Sequence, residues 1–155
     1  MINTLSKVSA SIVALALAGA CGGKAADGPE VAQVAVARAP LVAAYEALRD
    51  RLANDDLPGT QAAATALAKV GLAAQAEVVA KAPEIEAARV AFGDLSKAYL
   101  EQLTKEPDLQ KGGLYAFRCP MATGYQKWVQ TDETMKNPYM GKAMLECGSK
   151  VDLVP

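Results

Sequence analysis

The chain has 155 residues, with 16 basic and 17 acidic side chains, no histidine and three cysteines. This length suits one domain with a buried core, and the near-zero net charge with 5% aromatic residues leaves no basic face for nucleic acid. Without histidine there is no Ser-His-Asp or Cys-His arrangement, and the sequence has neither a phosphate-binding Gly loop nor a well-spaced acid pair. We therefore expect neither nucleic-acid binding nor enzymatic activity.

Residues 1–20 have the pattern of a signal peptide. The apolar run SASIVALALAGA follows Lys7 and is too short to span a bilayer. It leads into LAGACGG, which resembles the cleavage and lipidation site of bacterial lipoproteins, with Ala18 where a larger aliphatic residue is usual. We expect removal of residues 1–20 and acylation of Cys21. Ordinary cleavage near Ala20, with an unmodified thiol at Cys21, is the alternative.

A lipid on Cys21 would determine the location of the mature protein. Gly22, rather than Asp, after the cysteine favours the outer membrane facing the periplasm over the inner membrane. Residues 21–38 are rich in Gly, Ala and Val and are predicted to form a flexible tether. The mature chain has no basic cluster, so we expect the lipid alone to attach it to the membrane.

Three amphipathic segments predict helices within residues 39–106. The first begins near Ala39, the second covers residues 58–80 and the third runs from Pro83 to Lys105. Each has apolar residues at helical spacing on one face. These residues are Leu41, Tyr45, Leu48 and Leu52 in the first segment, Ala63, Leu67, Val70, Ala74 and Val78 in the second, and Ile85, Ala88, Phe92, Leu95, Tyr99 and Leu103 in the third. The short connections imply antiparallel packing.

The composition changes in residues 107–155, which we expect to form a cap packed on the bundle. This stretch holds most of the aromatic residues, four of the five methionines and two of the three cysteines. LYAFRCP and GYQKWVQ are typical of short extended segments, and MGKAMLEC predicts a short helix ended by Gly148. The predicted fold is all-α, an antiparallel bundle of three or alternatively four helices with a small C-terminal cap of extended segments and a short helix.

Motifs in the cap resemble a known bacterial family. CPM at residues 119–121, Trp128 and NPYMGKAMLECG at residues 137–148 look like the family catalogued as domain of unknown function 3347, and the resemblance covers roughly residues 39–150. Its members occur alone or attached to membrane-fusion subunits of heavy-metal efflux pumps, which implies such a complex as a partner. YAFRCPM is also similar to the Tyr-x-Cys-Pro-Met-His signature of short heavy-metal-binding domains, but Ala122 replaces the histidine.

Five sulfur-containing side chains form a candidate metal site in the cap. Thiolates and thioethers are soft donors that favour Cu(I) or Ag(I), whereas zinc usually draws on cysteine and histidine together. On an α-helix Met140, Met144 and Cys147 would share one face, and the preceding turn could bring Cys119 and Met121 opposite them. This interpretation predicts a lipid-anchored copper- or silver-binding accessory protein of the cell envelope.

A disulfide is the alternative interpretation of the same cysteines. With Cys21 lipidated, Cys119 and Cys147 are the remaining pair in an oxidising compartment. A bond between them would stabilise the cap by roughly 3 to 4 kcal/mol through the reduced entropy of the unfolded chain. Met140 and Met144 would then be core residues. In that case the protein would bind no metal, and its role would be structural or in protein interaction.

Overall fold

The computed structural model describes residues 29–106 and 113–153, and for residues 29–39 only the backbone is described. The predicted signal peptide and the predicted lipidation site Cys21 lie outside the described residues. Within the described part of the chain, none of the helices combines the length and the apolar character needed to cross a bilayer.

Four helices form the first part of the fold: α1 Pro29–Ala53, α2 Leu57–Ala68, α3 Ala73–Ala80 and α4 Ile85–Lys105. Consecutive helices pack against each other, and both α1 and α2 also contact α4. The apolar faces predicted for the first and third segments are buried, with Ile85 as the half-buried exception. The prediction of a mostly helical fold is therefore confirmed, and the described part of the chain contains four helices, the predicted alternative to three.

The second predicted helix is divided into α2 and α3. Leu72 has a left-handed backbone conformation with φ 52°, which an α-helix cannot continue through. Beyond this break Ala76 and Val79 are buried in α3 whereas Val78 is exposed, and Val70, in the turn that follows α2, is exposed as well. The predicted apolar face was wrong beyond α2, because it assumed one continuous helix.

α1 begins earlier than the sequence predicts, and α2 begins at a side-chain cap. α1 begins at Pro29, within the stretch predicted as a tether, and Pro40 therefore lies inside the helix, where it has no N–H to donate. Asp56 caps α2 by accepting a hydrogen bond from the Gly59 N–H at 2.9 Å. This bond is also the main cause of the lowered pKa of the Asp56 carboxyl group.

Three short strands follow the helices: β1 Tyr115–Arg118, β2 Lys127–Gln130 and β3 Ser149–Val151. They form one antiparallel sheet in the order β2-β1-β3, with Phe117 of β1 opposite Trp128 of β2. The all-α prediction is thus correct for the bundle but not for the cap. The predicted extended segments pair with each other there, because pairing satisfies the backbone groups of strands that pack against the bundle.

The short helix predicted in the cap is a 3-10 helix, Gly141–Met144. A 3-10 helix has three residues per turn, so residues four or seven positions apart do not share a face. Gly141 has φ 60°, and a Cβ added to it would overlap the side chains of Asp55 and Arg89. Glycine therefore allows this turn to lie directly against the bundle.

A chain of aromatic rings joins the bundle to the cap. In order of contact these rings are Tyr99, Tyr45, Phe92, Tyr139, Trp128 and Phe117, with centroids 4.0 to 5.9 Å apart. The Lys127 carbonyl accepts hydrogen bonds from Ser96 Oγ at 2.9 Å and from the Tyr139 hydroxyl at 2.8 Å. Gly93 lets the cap approach α4, since an added Cβ would lie 3.3 Å from the Tyr125 carbonyl oxygen. Bundle and cap therefore share one core.

Candidate metal centre

Three sulfur atoms from two separate parts of the cap lie together near its surface. Sγ of Cys119 is 3.8 Å from Sγ of Cys147, which in turn is 3.8 Å from Sδ of Met121. Both cysteines are free thiols. Cys119 is completely buried, Cys147 is half-buried and Met121 is 57% exposed. This sulfur cluster of Cys119, Met121 and Cys147 is therefore open to solvent on the side of Met121.

The turn after β1 holds one side of the sulfur cluster. The Cys119 N–H donates to the Gln126 carbonyl at 3.0 Å, and the Cys119 carbonyl accepts from the Ala122 N–H at 3.2 Å. The Gln126 side chain donates to the carbonyls of Pro120 and Ala122, at 3.0 and 3.3 Å. Because Cys119 and Ala122 are buried while Met121 is exposed, the turn directs the thiol inwards and the thioether outwards.

Asn137 holds the other side of the sulfur cluster. Its Nδ2 donates to the Cys147 carbonyl at 2.6 Å, and its backbone N–H donates to the Leu145 carbonyl at 2.7 Å. Its Oδ1 accepts from the N–H groups of Tyr139 and Met140, at 2.8 and 3.2 Å. Asn137 is completely buried, so these bonds fix the backbone that carries Cys147 from inside the loop.

Gly148 allows Cys147 to lie close to the end of β1. Its φ is 142°, and an added Cβ would lie 2.7 Å from the Arg118 carbonyl oxygen and 3.3 Å from the ring of Trp128. A side chain at this position would therefore push the adjacent Cys147 away from Cys119. Trp128 is completely buried, and it supports the backbone beside the cluster.

The sulfurs of the other two predicted ligands, Met140 and Met144, are not among the recorded contacts of the cysteine sulfurs in the described residues, although the Met144 carbonyl accepts from the Cys147 N–H at 3.0 Å. The face that an α-helix would have given Met140, Met144 and Cys147 does not form in a 3-10 helix. Met144 is 39% exposed at the end of that helix, and Met140 is half-buried against the core. The sulfur contacts recorded in the described part of the chain join Cys119, Met121 and Cys147 and include neither of these two methionines.

A pocket of about 410 Å³ lies beside the sulfur cluster. Met121 and Met140 both line it, and α4 contributes Glu86, Arg89 and Val90 to its wall. Met121 is thus the residue that contacts Cys147 and also borders this pocket. Met140 is thus a second methionine in the wall of the pocket that Met121 borders.

The sulfur distances fit ligation of one metal ion. Two sulfurs bound to the same ion at about 2.3 Å lie about 3.8 Å apart in a tetrahedral site and about 4.0 Å apart in a trigonal one. Both recorded distances are 3.8 Å. A disulfide, by contrast, requires sulfurs at about 2.0 Å. Since 3.8 Å is also the separation of sulfurs in van der Waals contact, the arrangement of Cys119, Met121 and Cys147 is compatible with a ligand set and is not a bonded pair.

The donor types restrict which metal could bind. Among residues 29–106 and 113–153, no group of three or more His, Cys, Asp or Glu side chains is arranged to hold a metal ion. For a metal ion at Cys119 and Cys147, the Met121 thioether is the protein sulfur recorded within reach as a third ligand. Thioethers suit soft ions such as Cu(I), whereas magnesium and calcium prefer oxygen ligands. The residues present fit a soft monovalent ion.

Metal binding here would release protons. The pKa of the Cys147 thiol is raised above its ordinary value. Partial burial is the main cause, and the hydrogen bond with Cys119 and the charge of Cys119 add to it. Cys147 is therefore a neutral thiol at neutral pH in the metal-free protein. Because the thiolate is the form that binds metal, the ion has to displace the Cys147 proton.

Sequence analysis missed the side chains that fasten the Cys147 loop to the bundle. Arg89 of α4 donates to the Pro138 carbonyl at 3.3 Å and forms an ion pair with Asp55. Arg49 of α1 is 2% exposed and donates to the Lys136 carbonyl at 2.9 Å. The only sequence signal for these arginines was their position beside the apolar faces of their helices, and it does not identify their distant backbone partners.

Comparison with known proteins gives no relative on which to base a function: the chain matches no protein-family description, no curated protein and no solved structure. The resemblance to domain of unknown function 3347 stays a prediction. The interpretation of the sulfur cluster consequently depends on its own geometry and chemistry.

Proposed function

We propose that this protein binds a soft monovalent metal ion, Cu(I) or Ag(I), through Cys119, Cys147 and Met121, as an accessory protein of the cell envelope. The observation that carries the proposal is the pair of 3.8 Å sulfur distances that meet at Cys147. Two free thiols, one buried and one half-buried, in a chain with no histidine, add to it. Together with the exposure of Met121, these soft donors support a soft-metal ligand set.

Binding would exchange two protons for one metal ion. Each thiol would lose its proton to solvent as its sulfur bonds the ion, whereas Met121 would donate a lone pair without losing a proton. The two thiolates more than neutralise the single positive charge of the ion. The ion compensates the charge of one thiolate, so the buried Cys119 can bind as a thiolate while the remaining negative charge lies toward the half-buried Cys147.

The proposed location and partner come from the sequence. We propose lipid attachment at Cys21, an outer-membrane position facing the periplasm and association with a heavy-metal efflux complex. The LAGACGG motif supports the first two parts, and the resemblance of the cap motifs supports the third. Cells fed labelled palmitate should label the wild-type protein, and a Cys21→Ala variant should carry no label and lose its membrane fractionation.

A structural role with a Cys119–Cys147 disulfide is the second candidate function. It is favoured by the same 3.8 Å distance between the two Sγ atoms, because a movement of about 2 Å would bring them to bonding distance. The bond would connect the end of β1 to the loop before β3. The cap would then be pinned for structure or protein interaction, and it would hold no metal.

The deciding experiment uses the full chain with Cys21→Ser, in which Cys119 and Cys147 are the only thiols. Thiols are counted with and without reductant, and Cu(I) is then titrated without oxygen against a chromogenic chelator. We expect two free thiols after reduction and one tightly held Cu(I) per chain. A Cys147→Ser substitution should weaken Cu(I) binding by roughly two orders of magnitude, because a hydroxyl is a poor ligand for a soft ion.

Met144→Leu in the same background is the matched control, since Met144 lies outside the recorded sulfur contacts. It should leave the Cu(I) stoichiometry and affinity unchanged. Reduced protein that takes up no Cu(I) would reject the metal-binding proposal. Thiols that are bridged as purified and, once reduced, still bind no Cu(I) would support the disulfide-pinned cap instead.

A further inference from the structure

We propose that Cys119 and Cys147 form a thiol–disulfide switch that controls the metal site, in which Cys147 reacts first with a small disulfide compound and Cys119 then closes an internal disulfide. This inference rests on the proposed metal-binding function and adds its regulation. It gives the two cysteines different roles, whereas a metal site or a permanent disulfide uses them as equal partners.

The two thiols differ in their access to solvent. Cys119 is completely buried, whereas Cys147 is half-buried and its sulfur contacts that of Met121 at the exposed surface. In thiol–disulfide exchange the attacking sulfur has to reach a sulfur of the reagent, so a compound in solution reacts at the accessible thiol. Cys147 is therefore the site of the first reaction, and burial protects Cys119 from the compound.

Cys119 lies where it can attack a disulfide formed at Cys147. The two Sγ atoms are 3.8 Å apart, so a movement of about 2 Å brings them to bonding distance. The sheet holds both backbones near each other, because Arg118 of β1 pairs with Ser149 of β3, directly after Cys147 and Gly148. A thiol fixed at this distance has a high effective concentration, so internal closure should be faster than attack by a second thiol from solution.

The reaction consists of two exchange steps. The Cys147 thiolate attacks one sulfur of the disulfide compound, forms a mixed disulfide and releases the first thiolate. The Cys119 thiolate then attacks the Cys147 sulfur, forms the Cys119–Cys147 bond and releases the second thiolate. Two electrons pass from the protein dithiol to the compound, and the two protons lost by the protein thiols are taken up by the two released thiolates.

Closure of the disulfide removes the metal site. The bond uses both cysteine sulfurs, so Met121 is left as the one soft ligand of the sulfur cluster, and the oxidised chain should not hold Cu(I). Reduction passes through the same mixed disulfide at Cys147, because a reaction and its reverse share their intermediates. The metal site is thus open in the reduced protein and closed in the oxidised one.

The test follows the reaction of the reduced full chain, in the Cys21→Ser background, with glutathione disulfide at about pH 8.5, where free thiols are partly ionised. Samples are quenched with acid and their intact masses are measured. Cys119→Ser should accumulate one glutathione per chain, because no second thiol is left to displace it. Cys147→Ser should react at least about tenfold more slowly, because its remaining thiol is buried. The chain with both cysteines should lose both thiols and keep no glutathione.

A second measurement tests the same order of reaction without a cysteine variant. After brief alkylation of the reduced chain with iodoacetamide, peptide mapping should find Cys147 modified ahead of Cys119. Equal rates for the two cysteines in both measurements would overturn the proposal. A glutathione adduct that persists in the chain with both cysteines would also overturn it, because Cys119 would then not close the bond.

Cu(I) titration of the same samples tests the control of the metal site. The oxidised chain should hold no Cu(I) tightly, and reduction by a phosphine that is then removed should restore one Cu(I) per chain. An oxidised chain that still holds one Cu(I) would overturn the switch and leave the proposed function intact. A reduced chain that holds no Cu(I) would reject the proposed function and, with it, any control of a metal site by the two thiols.

Discussion

Asn137 donates its side-chain amide to the backbone carbonyl of Cys147 at 2.6 Å, so the position of a candidate metal ligand depends on a completely buried amide in the preceding turn. The oxygen of the same side chain accepts from the N–H groups of Tyr139 and Met140. A buried amide with partners on both its donor and its acceptor side is costly to disturb, because each partner would be left without a hydrogen bond.

Replacing Asn137 with alanine should therefore affect both stability and metal binding. Three backbone groups would lose their partner, and we expect the free energy of unfolding to fall by about 1 to 3 kcal/mol. Cu(I) affinity should also fall, because the Cys147 backbone is no longer fixed near Cys119. Urea denaturation of the metal-free protein and Cu(I) titration measure the two effects. Asn54→Ala is the control, since the Asn54 amide is exposed and donates to Asp50 within one turn.

Similar losses of stability for the two alanine variants would contradict this role of Asn137. A large loss of stability with unchanged Cu(I) affinity would contradict its link to Cys147, because the loop would then position the thiol without the amide. The two measurements thus separate a general packing role from the positioning of a ligand.

Arg89→Met should weaken the attachment of the cap to the bundle. Arg89 is 13% exposed, pairs with Asp55 and donates to the carbonyls of Leu52 and Pro138, both at 3.3 Å. Hydrogen bonds of a charged group that is largely removed from water are stronger than those at the surface, and we expect a loss of about 1.5 to 3 kcal/mol in urea denaturation. Lys81→Met breaks an exposed i,i+4 pair and should cost at most about 0.5 kcal/mol. Equal effects would contradict the anchoring role.

The helical part of the fold could be predicted because its signal is local. The residues of the apolar faces predicted for the first and third segments recur at helical spacing, and nearly all of these residues are buried. The break at Leu72 could not be predicted, since one left-handed residue in an Ala-rich run leaves the hydrophobic spacing unchanged. The pairing of β1 with β3 also has no local signal, because it joins positions far apart in sequence and depends on how both strands pack.

The candidate site was predicted by residue type but not by arrangement. Soft donors identified Cys119, Met121 and Cys147, and these three side chains do lie together. An α-helical period added Met140 and Met144 to the same face. The buried Asn137 side chain and the left-handed Gly141 instead shape this segment into a 3-10 helix with another period. Hydrogen bonds made by a buried side chain thus decided a geometry that residue spacing alone could not reveal.

Two buried tyrosines should respond differently to loss of the hydroxyl group. Tyr139 donates to the Lys127 carbonyl at 2.8 Å, whereas the Tyr99 hydroxyl is buried and has no hydrogen-bond partner in the described part of the chain. Burial raises the pKa of both hydroxyls above the usual range, so both are neutral. Tyr139→Phe should lower the free energy of unfolding by about 1 kcal/mol, and Tyr99→Phe should leave it unchanged or raise it.

Urea denaturation of the two phenylalanine variants under one set of conditions makes this comparison. Each substitution removes one oxygen from a ring in the same aromatic chain, so each is the control for the other. A loss for Tyr99→Phe as large as that for Tyr139→Phe would contradict the difference in hydrogen bonding.

The raised pKa of the Cys147 thiol predicts opposite pH dependences for the metal-free protein and for metal binding. Partial burial is the main cause of the shift and Cys119 adds to it, so folding favours the neutral thiol. In the metal-free protein this contribution to stability is present below the ordinary thiol pKa and is lost as the pH rises through the raised value. Metal binding requires the thiolate, so Cu(I) affinity should instead rise with pH.

Thermal unfolding between about pH 7 and about pH 11 and Cu(I) titration between about pH 6 and about pH 9, both in the Cys21→Ser background, measure the two dependences. Below the thiol pKa values, Cu(I) affinity should rise by about tenfold per pH unit for each proton displaced. Without metal, the Cys147→Ser variant should lose less stability at high pH than the protein that keeps Cys147. The reason is that serine does not titrate in this range. An affinity for Cu(I) that stays constant with pH would mean that no thiol proton is displaced, which would contradict ligation by the cysteines.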